Sequence, residues 1–184
     1  MSNGPTLETA RLILRPPVQE DFDGFAAMCA EEATMRFIGG VVPRDGAWRQ
    51  MATIRGSWAL LGFGFFSVIE KESGRWIGRL GPWRPGGVQG GWPGNEVGWG
   101  IMASAHGKGL AREGAIAAID WAFDQLGWTD VIHCIDPKNA ASIALAERIG
   151  SMRLREAHVP PPIDLTIDIY GQTREAWRAG RASL

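Results

Sequence analysis

Apolar positions along the chain follow two spacings, alternation in some stretches and helical recurrence in others. The switches between them mark its elements. Leu7–Arg15 alternates in part, with Leu12 and Leu14 on one side and Arg11, Ile13 and Arg15 on the other; this predicts a first strand that Pro16 and Pro17 stop. Over Val18–Glu31, Phe22, Phe25, Ala26 and Cys29 stand at helical spacing behind Glu20 and Asp21, predicting an amphipathic helix with acids in its first turn. Gly39 and Gly40 precede a second predicted helix, Arg44–Leu61, with Trp48, Met51, Ile54 or Arg55, and Trp58 recurring along its face. Phe63–Glu70 and Arg75–Leu80, joined by Lys71-Glu72-Ser73-Gly74, read as a hairpin. A glycine-rich stretch then predicts a loop over Arg84–Asn95, long enough to suggest function.

Glu96–Ile101 is the next predicted strand. Gly107–Gly127 reads as a helix with the stripe Ile116, Ile119, Phe123 and Leu126. Val131–Ile135 is a short strand, and Asn139–Ile149 a helix that starts on an Asn cap and stops at Gly150. Met152–Val159 and Leu165–Tyr170 are the last strands, split by Pro160-Pro161-Pro162, before a terminal helical turn over Thr173–Ala179. Hairpins mixed with crossover helices imply an α/β fold with a mixed sheet and helices on its faces.

Size and charge narrow the function. The 184 residues and 20.0 kDa fit one domain with one core. With 19 basic and 20 acidic residues the net charge is -1, which argues against nucleic acid as a bulk electrostatic partner. Cys29 and Cys134 are too far apart in sequence to suggest a redox pair and are expected to be buried small hydrophobes. His106, His133 and His158 form no helical ligand pair, so no metal site is expected. The polar start, and an apolar run over Trp58–Ile69 broken by Gly62 and Gly64, predict no membrane span and a cytoplasmic protein.

The chemistry concentrates in Glu96–Glu113, EVGWGIMASAHGKGLARE. A strand runs into a loop, and His106-Gly107-Lys108-Gly109-Leu110-Ala111 opens a helix. Glycines allow close backbone approach, and the free N–H groups of a helix start favour an anion. Lys108 and Arg112 lie at this positive end, while Asp120 and Asp124 lie further along. That arrangement opposes the helix dipole unless a phosphate occupies the start. A Walker loop fits poorly because Gly109 stands where Ser or Thr is needed; a dinucleotide fingerprint fits poorly because Arg112 replaces its third glycine, and the looser match of Gly98, Gly100 and Ala103 lies in and just after a strand rather than at a helix start.

These residues resemble the acetyl-CoA signature of the GNAT acetyltransferase superfamily, most closely its RimJ/RimL-like N-acetyltransferases. The resemblance covers about Thr6 to Trp177. It rests on Glu8-Thr9-Ala10-Arg11-Leu12-Ile13-Leu14-Arg15, the Glu96–Glu113 block, Asn139-Ala140-Ala141-Ser142 with Glu147-Arg148-Ile149-Gly150, and Tyr170–Trp177. It implies a central, mixed but mostly antiparallel twisted sheet whose fourth and fifth strands splay. It also implies acetyl-CoA as cosubstrate, with no metal. The pantetheine arm would lie along Trp99, Gly100, Ile101 and Met102, and the diphosphate on His106, Gly107, Lys108, Gly109, Leu110, Ala111 and Arg112, with Asn139 and Ser142 beside the cofactor. Asn139 could equally be a simple helix cap.

An amine must lose a proton to attack the thioester, so Glu96 is the candidate base, acting through water. Where many relatives carry a Tyr as acid this chain has Ala146; the resemblance therefore implies Ser142 as the group that positions or protonates the sulfur. Tyr170, the only tyrosine, is expected to be structural. Trp83, Trp92 and Trp99, in or beside the glycine-rich loop, either supply an apolar wall of the acceptor pocket or serve ordinary packing. The expected function is acetylation of a primary amine, on a small molecule or a protein N-terminus. The rivals are a non-catalytic acyl-CoA-binding sensor of the same fold and, more distantly, a nucleotide-binding enzyme. Sheet edges make a homodimer an expectation.

Overall fold

The computed structural model describes residues 4–85, 91–159 and 164–184. Eight strands, β1 (Leu7–Glu8), β2 (Leu12–Arg15), β3 (Phe66–Glu70), β4 (Trp76–Trp83), β5 (Glu96–Ile101), β6 (Asp130–Ile135), β7 (Met152–Val159) and β8 (Leu165–Thr173), form one sheet in the order β1-β2-β3-β4-β5-β6-β8-β7. All neighbours are antiparallel except β5 and β6. The helices are α1 (Phe22–Cys29), α2 (Glu32–Met35), α3 (Arg44–Leu61), α4 (Leu110–Gln125), α5 (Ala140–Arg148) and α6 (Arg174–Gly180).

Three differences from the sequence reading have local causes. The first strand is a tight hairpin, because Thr9 bonds Leu12 through both its amide (3.0 Å) and its hydroxyl (2.9 Å) and turns the chain between β1 and β2. The predicted Val18–Glu31 helix divides into a 3-10 turn at Gln19–Asp21 and α1, and α2 follows it as an additional short helix. On α3 the buried residues are Ala47, Met51, Ile54 and Trp58. Trp48 instead stands 48% exposed with its ring edge-on to Phe22 at 5.1 Å, since the 47-51-54-58 series fits one helix face and position 48 lies off it. Of the predicted α4 stripe, Ile119 and Phe123 are buried while Ile116 and Leu126 are half-buried; Gly114, Ala115, Ala118 and Ala122 complete the buried face, and Gly114 lets the helix lie directly on Leu80 and Leu12 of the sheet.

A buried ion pair fixes the chain before α1. Asp21 accepts two bonds from Arg15 (2.7 and 2.8 Å), one from the Val18 amide (2.9 Å) and one from the Ser67 hydroxyl (2.7 Å). Burial alone would push the Asp21 carboxyl up; Arg15 and these donors pull it below its usual range.

Strand β4 carries a bulge at its start. Ile69 pairs with Trp76 and Val68 with Gly78, so Ile77 is the extra residue. Trp76 and Arg79 consequently share the sheet face that meets α1, where strict alternation would place them on opposite faces. Among the described residues no helix is long and apolar enough to cross a membrane. The Pro160-Pro161-Pro162 break and residues 86–90 of the predicted loop lie outside the described residues.

Candidate active site

Strands β5 and β6 touch only at one end. Glu96 faces Ile132, and the Ile132 amide bonds the Asn95 carbonyl at 2.9 Å; beyond that point no further pairs form. The Met102 amide bonds Ile77 on the β4 side, so by alternation Val97, Trp99 and Ile101 present their backbone groups to the gap. The buried His133 ring closes its narrow end: Nδ1 donates to the Val97 carbonyl (2.6 Å), and Nε2 accepts from the Ser151 hydroxyl (3.0 Å). Burial pulls its pKa down to about 4, so the ring is neutral at pH 7.

The gap opens into a cavity of about 570 Å³ bounded by β5, β6, α3, α5 and the Arg36–Gly40 turn. Glu96 lies at the base of β5, buried, with the Trp92 indole donating to Oε2 (2.8 Å) and the Cys134 amide to Oε1 (3.4 Å). Burial raises its pKa to about 7, despite these donors and the charge of Arg79. A carboxyl poised near neutrality can accept a proton and release it again at physiological pH. Trp83, Trp92 and Trp99 all line the cavity, and Trp83 stacks on Phe65 at 4.8 Å. Cys134 also lines it, but burial and the Glu96 charge push its thiol up, away from a nucleophilic thiolate.

Asn139 caps α5 by accepting from the Ser142 amide at 3.2 Å, and both residues reach the cavity wall. The Ser142 hydroxyl accepts from the Trp99 indole at 3.1 Å. An indole N–H only donates, so the hydroxyl proton of Ser142 stays free for another acceptor. Ala146 is buried in a small cluster with Ile135 and Tyr170, and Tyr170 is absent from the cavity wall.

The start of α4 carries the other predicted site residues. Gly107 (φ 74°) and Gly109 (φ 76°) both adopt the left-handed conformation, and Gly109 caps the helix without a side-chain bond. The Gly107, Lys108, Gly109, Leu110, Ala111 and Arg112 amides find no acceptor among the described residues. Buried Leu110 anchors this turn. Glu113 accepts from the Thr9 hydroxyl (2.5 Å), the Arg11 amide (2.8 Å) and Arg11 Nε (2.6 Å), while Arg11 also donates to the Lys108 carbonyl (2.8 Å). His106 is used within the turn: its ring donates to the Ile101 carbonyl (2.7 Å) and its amide to Ala103 (3.1 Å). Lys108 is exposed, with its ammonium 3.9 Å from Glu70. The Arg112 side chain donates to the Leu184 carbonyl at 2.6 Å, leaving its amide as its contribution to the turn. Asp120 and Asp124, unfavourable to the helix dipole on paper, pair with Arg181 (2.9 Å) and Arg178 (3.4 Å).

Sequence reasoning missed Arg79, His133 as a wedge, and the Arg36–Gly40 wall. The paired glycines Gly39 and Gly40 were the signal for that wall. His133 was weighed only as a metal ligand; among the described residues no cluster of three or more His, Cys, Asp or Glu is placed to hold a metal ion.

Comparison with known proteins agrees with this geometry. The family model described as an acetyltransferase (GNAT) domain matches residues 11–152. An acetyltransferase structure from Agrobacterium tumefaciens str. C58 is 30% identical with a TM-score of 0.78, covering 92% of this chain and 95% of that one. A GNAT-family acetyltransferase structure from Bacillus anthracis shares the fold at 20% identity and TM-score 0.77, covering 93% and 99%. YkkB of Bacillus subtilis (strain 168) is 38% identical over 55 residues, 30% of this chain and only 32% of that protein. A strand that parts from its parallel neighbour and leads on to a row of unpaired helix-start amides, and a family match over residues 11–152, lead to one conclusion: the chain belongs to the GNAT acetyltransferase family.

Proposed function

We propose that this protein transfers an acetyl group from acetyl-CoA to a primary amine. The observation that carries this reading is the unpaired amide row from Gly107 to Arg112, which the chain reaches just beyond β5, the strand whose first residue is the buried Glu96. Acetyl-CoA fits these groups: its diphosphate is the anion that the amides lack, and its pantetheine arm can take the place of a missing strand against Trp99. When bound, it supplies the activated acyl group as a thioester.

Glu96 accepts the amine proton as the nitrogen attacks, directly or through one water. Ser142 is oriented by the Trp99 indole and the Asn139 cap to give its proton toward the departing sulfur. Trp83 and Trp92 exclude water from the acceptor side. The RimJ/RimL branch supplies the finer reading, an α-amino group at a protein N-terminus. It is supported by the Glu8–Arg15 and Asn139–Gly150 blocks; a structural neighbour described as a ribosomal-protein-S5-alanine acetyltransferase from Vibrio fischeri, at 16% identity and TM-score 0.70, shares the fold alone.

The test is thiol release from acetyl-CoA with a panel of amines and N-terminal peptides. Release with at least one amine, lost in Glu96→Gln, is expected. Tight CoA binding with no release across the panel would favour the sensor instead.

A further inference from the structure

Several arginines of this protein meet a carboxylate, Arg11, Arg15, Arg153 and Arg181 each at 2.9 Å or less, and others, such as Arg112 and Arg174, donate to backbone carbonyls. Arg79 has none. Among the described residues its guanidinium makes no ion pair and no hydrogen bond, and its Nε is fully buried without a partner. Its Cζ lies 4.5 Å from the centroid of the Phe65 ring, and the side chain forms part of the cavity wall. Burial lowers its pKa, which is the signature of a cation short of counter-charge.

Glu96 does not fill that role. Its charge reaches Arg79, but its two oxygens are held by Trp92 and Cys134, and no contact within ion-pair distance forms. A buried charge left uncompensated is costly, so proteins rarely keep one without a ligand to meet it. The β4 bulge puts Arg79 on this face of the sheet, and bulges commonly re-aim a side chain beside a site. The remaining charged groups of the wall are Arg36, stacked on Phe37 at 4.6 Å, and Asp136, which accepts from the Lys138 amide at 2.8 Å.

We propose that Arg79 binds a carboxylate carried by the acceptor, so that the substrate class is an amine bearing an anionic group. This deepens the acetyltransferase reading and rests on it. Glu96 and Arg79 then divide the acceptor between them: the carboxylate meets the guanidinium, whose planar fork suits it, while the amine faces the proton acceptor. The carboxylate can be the α-carboxylate of a free amino acid or an acidic side chain near a peptide N-terminus.

Two arms of one experiment separate these sources. Thiol release is measured with free α-amino acids against their carboxamides, and with tripeptides carrying Asp or Glu at the second position against their Asn or Gln counterparts. At least one acid should exceed its amide in kcat/KM by about tenfold or more, chiefly through KM. The arm in which it does so names the source. Arg79→Gln should bring that ratio close to one, and Arg79→Lys should restore part of it. Equal use of acid and amide in every pair overturns the proposal, as does a ratio unmoved by Arg79→Gln or turnover of no pair by a protein that still binds CoA. If Arg79→Gln does not fold, the wild-type ratio alone decides. Absence of both CoA binding and thiol release would remove the acetyltransferase reading instead.

Discussion

Glu96 is pulled two ways. Burial favours its neutral form, while the Trp92 indole, the Cys134 amide and the Arg79 charge favour the carboxylate, and the balance falls near pH 7. The neighbouring Cys134 thiol and His133 ring are both uncharged there, so Arg79 is the charge that tunes it. As a base, Glu96 works only when ionised, so kcat/KM for the amine should climb with pH through about 7. In Glu96→Gln that limb should disappear and the rate fall by roughly 10²–10⁴-fold; a surviving limb would assign the proton to another group. Ser142→Ala should lower kcat with little change in CoA affinity, because it removes a proton donor and keeps the Asn139 cap on the backbone amide. Trp92→Ala should raise the acceptor KM and also lower the Glu96 pKa, since it loses one donor but lets in water, whose effect is larger at a buried carboxyl. Unchanged acceptor kinetics would remove Trp92 from the pocket.

At the scale of elements, the start of α4 is positioned by the hairpin at the other end of the sequence. Thr9, Arg11 and Glu113 join the β1–β2 turn to the first turn of α4, and Arg11 also holds the Lys108 carbonyl. Glu113→Gln should therefore cost about 2 kcal/mol of stability and weaken CoA binding as well. A loss of stability with intact affinity would make the clamp structural only. Both blocks were visible in the sequence as separate motifs, Glu8–Arg15 and Gly107–Glu113. Their contact was not, because residues a hundred positions apart meet only through the sheet. The same limit hid Arg79: a one-residue bulge decides which face it takes, and the IGRL stretch reads as plain alternation without it. By contrast Asn139, Gly150 and Thr173 marked their helix ends correctly, since capping is a local interaction that needs only the nearest turn.

At the scale of the whole molecule, the gap between β5 and β6 is maintained by buried groups with opposite pH responses. The folded pKa of His133 is depressed to about 4, so its stabilising effect is present above its unfolded value near 6.5 and is lost as pH falls toward 4. Glu96 has a raised folded pKa, so the folded state binds the extra proton between about 4.5 and 7, and stability falls as pH rises through that window. The two slopes oppose each other between pH 5 and 6.5. Removing one exposes the other: stability of Glu96→Gln relative to wild type should increase from pH 5 to 7, by up to about 1.4 kcal/mol per pH unit. Denaturant melts at several pH values would show it, and a difference that stays flat with pH would mean that Glu96 ionises normally in the fold. The chain order of strands and helices, apart from β1 and α2, and with it the mixed sheet, was legible from periodicity and from the glycine, proline and cap signals between elements. The cavity was less so, because its walls come from segments as distant as Arg36 and Ile167.

The decisive measurement is a calorimetric titration of the intact protein with CoA and, separately, with pantetheine. If the Gly107–Arg112 amides hold the diphosphate, CoA binds with measurable heat, pantetheine binds at least about a hundredfold more weakly, and Gly109→Val abolishes that difference by straining the turn. No heat from CoA, or equal affinity for the two ligands, would contradict the account.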